Sequence, residues 1–342
     1  MGKAAIHNPY LDTLGGGERY TLSFALALVK KGYKVDLEWR SQKIKKILES
    51  RFGMDLGEIN IVPDIKRGDG YDLTFWVSDG SIPTLLSRKN ILHFQVPFHN
   101  VGGRSLLNKM KLFRINKIIC NSYFTKKVID KEYGVTSIVV YPPGAVGDIK
   151  PKRKENLILY VGRFSPLLQN KRQDILIKAF KRMVDRGLIG WELILVGGVE
   201  IGVGDYLKKL KKLAEGYPIQ ILESPDFRTL KELYGKSRIF WSASGYGEDE
   251  IKFPEKVEHF GITVVEAMAA GAIPVVYNAG GHKEIIKDGV NGFLWNSTSE
   301  LLSETKKAIS GKGVYTMISK KAKRDCLKFS YERFEKEIMS LI

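Results

Sequence analysis

The stretch Glu258–Tyr277, EHFGITVVEAMAAGAIPVVY, decides the fold. Ile262–Ala270 reads as a helix ended by Gly271, and Ile273–Tyr277 reads as a buried strand that follows at once. From His259 to His282, a span of 24 residues, Glu266 is the only formal charge, where the overall 27% charged content would place about six. A lone carboxylate on so apolar a helix needs a partner, because burying an unpaired charge is strongly disfavoured. A ribose diol can fill that role by donating two hydroxyls. The competing expectation is that Glu266 reaches solvent along the small-residue face of Thr263 and Ala270. Glu258 stands eight positions earlier, in the loop before the helix, beside the N–H groups of Phe260, Gly261 and Ile262. Such donors suit phosphate or sugar oxygens.

Working outward, the same alternation of apolar runs and helical patterns fills the second half. Strands are predicted at Leu157–Val161, Glu192–Val196, Ile219–Leu222 and Ile239–Ser242. In the first half they are predicted at Ala4–His7, Val35–Trp39, Leu73–Val77, Ile91–Gln95, Ile118–Asn121 and Ile138–Tyr141. Near-continuous apolar strands separated by helices indicate parallel sheets covered on both faces. At 342 residues the chain exceeds what one ordinary core supports, so two doubly wound α/β domains follow. The Pro142–Glu155 stretch is the best linker, which sets the domains at 1–150 and 151–327 with a last helix in 328–342. Ligands of such sheets bind beyond the carboxyl ends of the strands.

Lys and Arg number 55 against 38 Asp and Glu, a net charge of +17. Residues 1–150 hold 23 basic and 14 acidic residues, so that half carries +9 and the remainder +8. A positive field favours polyanions: nucleotide phosphates, an anionic membrane surface or nucleic acid. Cys120 and Cys326 are far apart, which argues against a disulfide scaffold or zinc site and fits a reducing compartment. No signal peptide or spanning helix is predicted, so the expectation is a cytoplasmic protein, soluble or peripheral on a membrane face. Arg104–Lys117, RSLLNKMKLFRINK, mixes cations with Leu106, Met110 and Phe113. It suits an anionic lipid surface, although an ordinary packed helix is the commoner reading of such a pattern.

Several residues sit where chemistry is expected. Gly15-Gly16-Gly17 lies between the first strand and the first helix, where backbone N–H groups can approach an anion. It is not a dinucleotide fingerprint, because Tyr20 stands where the last glycine belongs. Asp36 lies at about the right distance for a ribose in a nicotinamide enzyme, which keeps that rival open. Gly162-Arg163 follows the first strand of the second domain, and Lys171-Arg172 precedes its first helix; cations there can stabilise a leaving diphosphate. His93 ends an apolar strand at a carboxyl edge. Glu248-Asp249-Glu250 imitates a metal site but reads as a solvated turn or lid within 245–257.

Taken together, GGGER, GRFSP…NKRQDILIKAF and EHFGITVVEAMAAGAIPVVYNAGG resemble the retaining glycosyltransferases of family 4. The E-x7-E segment is the most specific part. With NSYFTKK and VYPP added, the wording is similar to lipid-linked oligosaccharide mannosyltransferases. The resemblance implies a GT-B fold: two Rossmann-like domains facing across a cleft, the donor held mainly by the second and the last helix packing back on the first. It implies that Arg163 and Lys171 grip the donor diphosphate, with the Gly16 and Gly17 backbone closing over it. Glu266 would bind the ribose. Glu258, with the backbone of Phe260, Gly261 and Ile262, would hold the sugar, and His93 would touch it from the opposite wall. It further implies transfer with retention, no metal or other cofactor, and a glycan or lipid-linked acceptor. GDP-mannose is the first donor expected, with UDP-glucose and UDP-N-acetylglucosamine as alternatives. An inserted Leu167-Leu168-Gln169 departs from the family pattern. The rival from another class is a basic, non-catalytic nucleic-acid-binding protein, which would show steep salt dependence and no protection by a sugar nucleotide; no clustered stacking aromatics support it.

Overall fold

The computed structural model describes residues 1–165, 171–199 and 204–342, so the Leu167-Leu168-Gln169 insert lies outside the described residues. The chain forms two compact units: Met1–Pro143 with Tyr331–Ile342, and Gly144–Ser330. The passage between them falls at Pro143–Gly144 and not after 150. The Pro142–Glu155 stretch begins packed, and 147–153 is exposed apart from Ile149. Residues 142–146 are buried, and the Gly144 N–H bonds the Phe329 carbonyl at 3.0 Å. Proline and glycine break the strand there, but the apolar Ala145 and Val146 still go inward.

In chain order the first unit contains β1 (Lys3–His7), α1 (Gly16–Lys30), β2 (Lys34–Glu38), α2 (Lys43–Phe52), β3 (Ile59–Val62), β4 (Leu73–Val77) and β5 (Lys89–Phe94). It continues with α3 (Leu106–Leu112), β6 (Lys117–Cys120), α4 (Tyr123–Tyr133) and β7 (Ile138–Val139). All paired strands run parallel in the order β3-β2-β1-β4-β5-β6-β7. α3 departs from the packed helix that its pattern suggests, since none of its residues is buried.

The second unit contains β8 (Leu157–Val161), α5 (Gln173–Asp185), β9 (Glu192–Gly197), α6 (Gly204–Ala214), β10 (Ile219–Glu223), α7 (Phe227–Lys236) and β11 (Ile239–Ser242). It continues with α8 (Ile262–Ala269), β12 (Ile273–Tyr277), α9 (His282–Ile285), β13 (Phe293–Trp295), α10 (Thr298–Ile309) and α11 (Lys312–Asp325). Its sheet is again parallel, in the order β10-β9-β8-β11-β12-β13. The last helix, α12 (Tyr331–Leu341), belongs to the first unit, where Phe334 meets the Tyr20 ring edge-on at 5.0 Å and Lys30 pairs with Glu335 at 2.6 Å.

Each core is the sum of apolar faces that the helices turn to their sheet; in the second unit Trp241, Trp295 and Phe180 are fully buried. In both sheets the order reverses beside the unit's first strand, between β1 and β4 and between β8 and β11. Loops leaving those two strands go to opposite faces and open a crevice at the carboxyl edge. Among the described residues, no helix is long and apolar enough to cross a membrane.

Candidate active site

At the switch point of the second unit, β8 ends in Gly162-Arg163 and β11 leads through a loop to Glu258. Both flanking glycines are required by close approach. A side chain on Gly162 would strike the Tyr160 hydroxyl, and one on Gly197 would strike the Gly162 carbonyl. The Arg163 carbonyl is fixed from behind by Gln173, whose amide donates at 2.8 Å. Arg172 takes a left-handed backbone (φ 50) at the start of α5, and its guanidinium donates to the Tyr246 carbonyl at 2.7 Å.

Lys171 donates to Glu258 Oε2 at 2.7 Å, and the two side chains are only 13% and 15% exposed. Two groups that the sequence assigns to different parts of one donor therefore hold each other here. Burial alone would raise the Glu258 carboxyl. The nearby Lys171 ammonium, with smaller contributions from His282 and His259, more than offsets this and holds it down at about 2. Glu258 is thus a fixed carboxylate at neutral pH and not a proton donor.

Behind this pair the chain is tightly folded. Gly261 starts α8 with φ 110, a region that disfavours any side chain. A side chain on Gly280 would strike the Glu258 carbonyl, and one on Gly281 would strike the backbone of His259 and Phe260. The Gly281 N–H also bonds the Glu258 carbonyl at 2.7 Å. Phe260 is buried, edge-on to Phe329 at 5.3 Å. The loop after β12 therefore sets the height of the Glu258–Ile262 segment.

The acidic turn is only partly solvated. Glu250 accepts from the Gly280 N–H at 2.8 Å and pairs with Lys283 at 2.5 Å, while Asp249 accepts from the N–H groups of Ile251 and Lys252. Glu250 is a clamp on the glycine loop, a role hidden by its exposed neighbours. No group of three or more His, Cys, Asp or Glu suited to a metal occurs among the described residues.

Glu266 lies on α8, 5% exposed, and accepts from the Tyr234 hydroxyl at 2.9 Å. The solvent-facing alternative is overturned. The partner demanded by burial is supplied in this state by a phenol of α7, which the sequence reading missed. Also missed is His282, fully buried after the glycine pair. Its Nδ1 donates to the Tyr277 carbonyl at 2.8 Å, and its Nε2 has no hydrogen-bond partner. Burial lowers its pKa despite the pull of nearby Glu258, so the ring is neutral and Nε2 is an acceptor. A histidine directly after a strand's carboxyl end and two glycines was the available signal.

In the first unit the outcome differs. Gly16 and Gly17 form the first turn of α1, with Glu18 accepting from the Gly15 N–H at 2.6 Å. Gly17 lacks a side chain for a local reason: a Cβ would strike the Gln95 amide. His93, expected to touch a sugar, is wholly buried. Its ring stacks on Tyr20 at 4.1 Å, Nδ1 donates to the Ile119 carbonyl at 3.1 Å, and burial takes its pKa down to about 3. The apolar face of α1 closes over the end of β5 and seals it. Asp36, the residue a dinucleotide site would use, accepts from Tyr71 and Asn60 instead.

The site of the second unit thus offers a cation, an ionised carboxylate, a buried carboxylate and a helix start, a set suited to phosphate, sugar and diol together. Comparison with known proteins bears on the family and the fold. The family model described as glycosyl transferases group 1 matches residues 146–325. Over 261 residues the chain is 28% identical to a GDP-Man:Man(3)GlcNAc(2)-PP-Dol alpha-1,2-mannosyltransferase of Neurospora crassa, covering 64% of this chain and 44% of that protein. It is 25% identical over 283 residues to an uncharacterized glycosyltransferase of Methanocaldococcus jannaschii, covering 79% and 74%. The chain spans less than half the length of the mannosyltransferase. The whole chain superposes on the crystal structure of Anabaena HepE in complex with UDP and glucose with a TM-score of 0.77 at 18% identity, covering 99% of both. A Rickettsia africae glycosyltransferase gives 0.76 at 18% identity, covering 99% and 97%. At such identity these two structures establish the fold alone.

Proposed function

The chain belongs to the group 1 glycosyl transferases, and from that premise we propose that it moves a hexose, with retention, from a nucleotide-diphosphate sugar to a glycan or lipid-linked acceptor. The observation that carries this reading is the Lys171–Glu258 pair at the carboxyl edge of the second sheet. A cation suited to a diphosphate and a carboxylate suited to sugar hydroxyls neutralise each other until a donor takes both. Arg163 and Lys171 then stabilise the leaving diphosphate in place of a divalent metal. Glu266 takes the ribose hydroxyls, and Glu258 with the backbone of Phe260, Gly261 and Ile262 holds the hexose. His282 Nε2, in need of a donor, receives a hydroxyl of the bound ligand. The Gly16-Gly17 turn is retained in this reading as a phosphate contact through its N–H groups, whereas buried His93 is given a packing role.

Mannose from GDP-mannose is the first choice, because the Neurospora crassa relative carries that donor in its description. UDP-glucose, the ligand named for one complex of the Anabaena protein, is the second reading. The test is transfer from each sugar nucleotide to lipid-linked and free glycan acceptors, with the anomeric configuration of the product read by NMR and the assay repeated in EDTA. The reading expects an α-linked product and unchanged activity in chelator. Failure to bind or consume any sugar nucleotide would remove it.

A further inference from the structure

Helix α3 leaves most of its apolar side chains outside the core, only Leu112 packing against a buried cluster of the first unit. Leu106 is 77% exposed, Leu107 60%, Met110 66% and Phe113 93%. Leu106, Met110 and Phe113 recur at i, i+4 and i+7 and so form one stripe, with Lys109 and Lys111 on its two sides. A monomer surface rarely presents a contiguous apolar group of this kind without a function.

Charge says what covers it. Between Asp79 and Asp130 there is no carboxylate, while Arg88, Lys89, Arg104, Lys109, Lys111, Arg114, Lys117, Lys126 and Lys127 are all present. That segment alone accounts for the whole +9 of residues 1–150; the rest of that half is neutral. Beside α3 lies a hollow of about 410 Å³ lined by Arg104, Lys109, Leu112, Tyr133, Gly134 and Val135. It combines two cations with apolar walls, the arrangement that receives an anionic headgroup while acyl chains meet hydrocarbon.

We propose that α3 and its flanks, residues 101–117, dock on an anionic phospholipid bilayer, with Leu106, Leu107, Met110 and Phe113 entering the headgroup–acyl boundary and the lysines and arginines held at the phosphates. The hollow takes one lipid phosphate. A second copy of the chain is disfavoured as occupant, because it would bring a like-charged face against this one. Nucleic acid would use the cations but give the exposed Leu, Met and Phe side chains nothing to bury. The inference stands on α3 and its charges, not on the donor assigned above.

The test is flotation of the full chain with phosphatidylcholine vesicles, with and without phosphatidylglycerol. The wild type is expected to float only with the anionic vesicles and to be released by salt. Leu106→Glu with Phe113→Glu, at largely exposed side chains, should reduce the floated fraction about tenfold or more. The same variant should keep its Tm and its thermal shift with a sugar nucleotide. Lys109→Glu with Lys111→Glu should reduce flotation several-fold. The proposal is overturned if the wild type stays unbound to anionic vesicles at low salt, or if the double glutamate variant floats as well as the wild type. It is also overturned if these substitutions abolish a dimer or RNA binding and leave vesicle binding unchanged. A failed donor assay would leave flotation untouched, so the two readings fail separately.

Discussion

The two sheets share one topology, yet their carboxyl edges have been put to different use. In the second unit the charged groups after β8 and β11 meet each other: Lys171 and Glu258 form an ion pair that is mostly buried but still 13% and 15% exposed. In the first unit the group at the equivalent kind of edge, His93, is 0% exposed and stacked on Tyr20. A parallel sheet supplies a crevice wherever its strand order reverses, but a crevice becomes a site only where polar groups are left exchangeable. In the first unit the His93 ring is stacked under Tyr20 with Nε2 left without a hydrogen-bond partner, and in the second an ion pair holds the charged groups at the edge.

The sharpest way to break this comparison is to truncate one residue at each edge. Glu258→Ala should lower kcat/KM for sugar transfer about 10²–10³-fold, the range seen when one electrostatic contact to the reacting group is removed. His93→Phe, which preserves the stacked ring, should leave transfer within about threefold of the wild type. Equal losses in a steady-state assay would show that both edges act on substrate.

Glycine substitutions sharpen it further. Gly281→Ala sets a methyl against the backbone of His259 and Phe260, which cannot give way cheaply, and should cost about 1–3 kcal/mol in urea unfolding. Gly17→Ala meets only the end of the Gln95 side chain, which can turn aside, and should cost less. The reverse order would mean that the first unit's edge is the more tightly determined.

Acid titration separates His93 from Glu258 by window, both contributions being lost as pH falls. His93 falls to about 3 from an ordinary 6.5, so the unfolded chain binds a proton that the folded chain refuses. Its contribution is complete above pH 6.5 and is lost as pH falls toward 3. Glu258 falls to about 2 from an ordinary 4.5, so its contribution is complete above 4.5 and lost as pH falls toward 2. Denaturant unfolding at stepped pH should therefore lose part of its slope between 6.5 and 4.5 in His93→Phe, buried His282 supplying the rest, and keep it in Glu258→Gln. The smallest effect expected is that of Tyr234→Phe, which removes one hydrogen bond to Glu266 and should cost about 1 kcal/mol. Donor affinity should be retained in this variant if ribose hydroxyls take over from the phenol.

Much of the fold was legible because apolar runs such as Leu157–Val161 and Ile273–Tyr277 have no reading except a buried strand. β3 and β13 were not, since INIV alternates in burial and FLW is only 3 residues long. The burial of Glu266 was legible from its apolar surroundings; its partner was not. Tyr234 lies 32 residues earlier, and nothing in the stripe Phe227, Leu230, Tyr234 marks a hydroxyl that will meet a carboxylate. Lys171 and Glu258 were each chosen for a ligand, but their mutual pairing across 87 positions is a fact of three dimensions. The burial of His93 was not legible, because a histidine at a strand end looks alike whether the next layer is solvent or Tyr20. α3 was misjudged in the opposite direction, since amphipathic spacing does not say whether a core lies beside it.

The central claim is that the crevice of the second unit binds a nucleotide-diphosphate sugar, with Glu266 on the ribose and Lys171 and Glu258 parted by the ligand. Thermal unfolding of the wild type and of Glu266→Ala, with and without GDP-mannose, tests it most directly. The account predicts that donor at about 100 times its Kd stabilises the wild type by roughly 2.7 kcal/mol and leaves the variant unmoved. An equal shift in both proteins would contradict it.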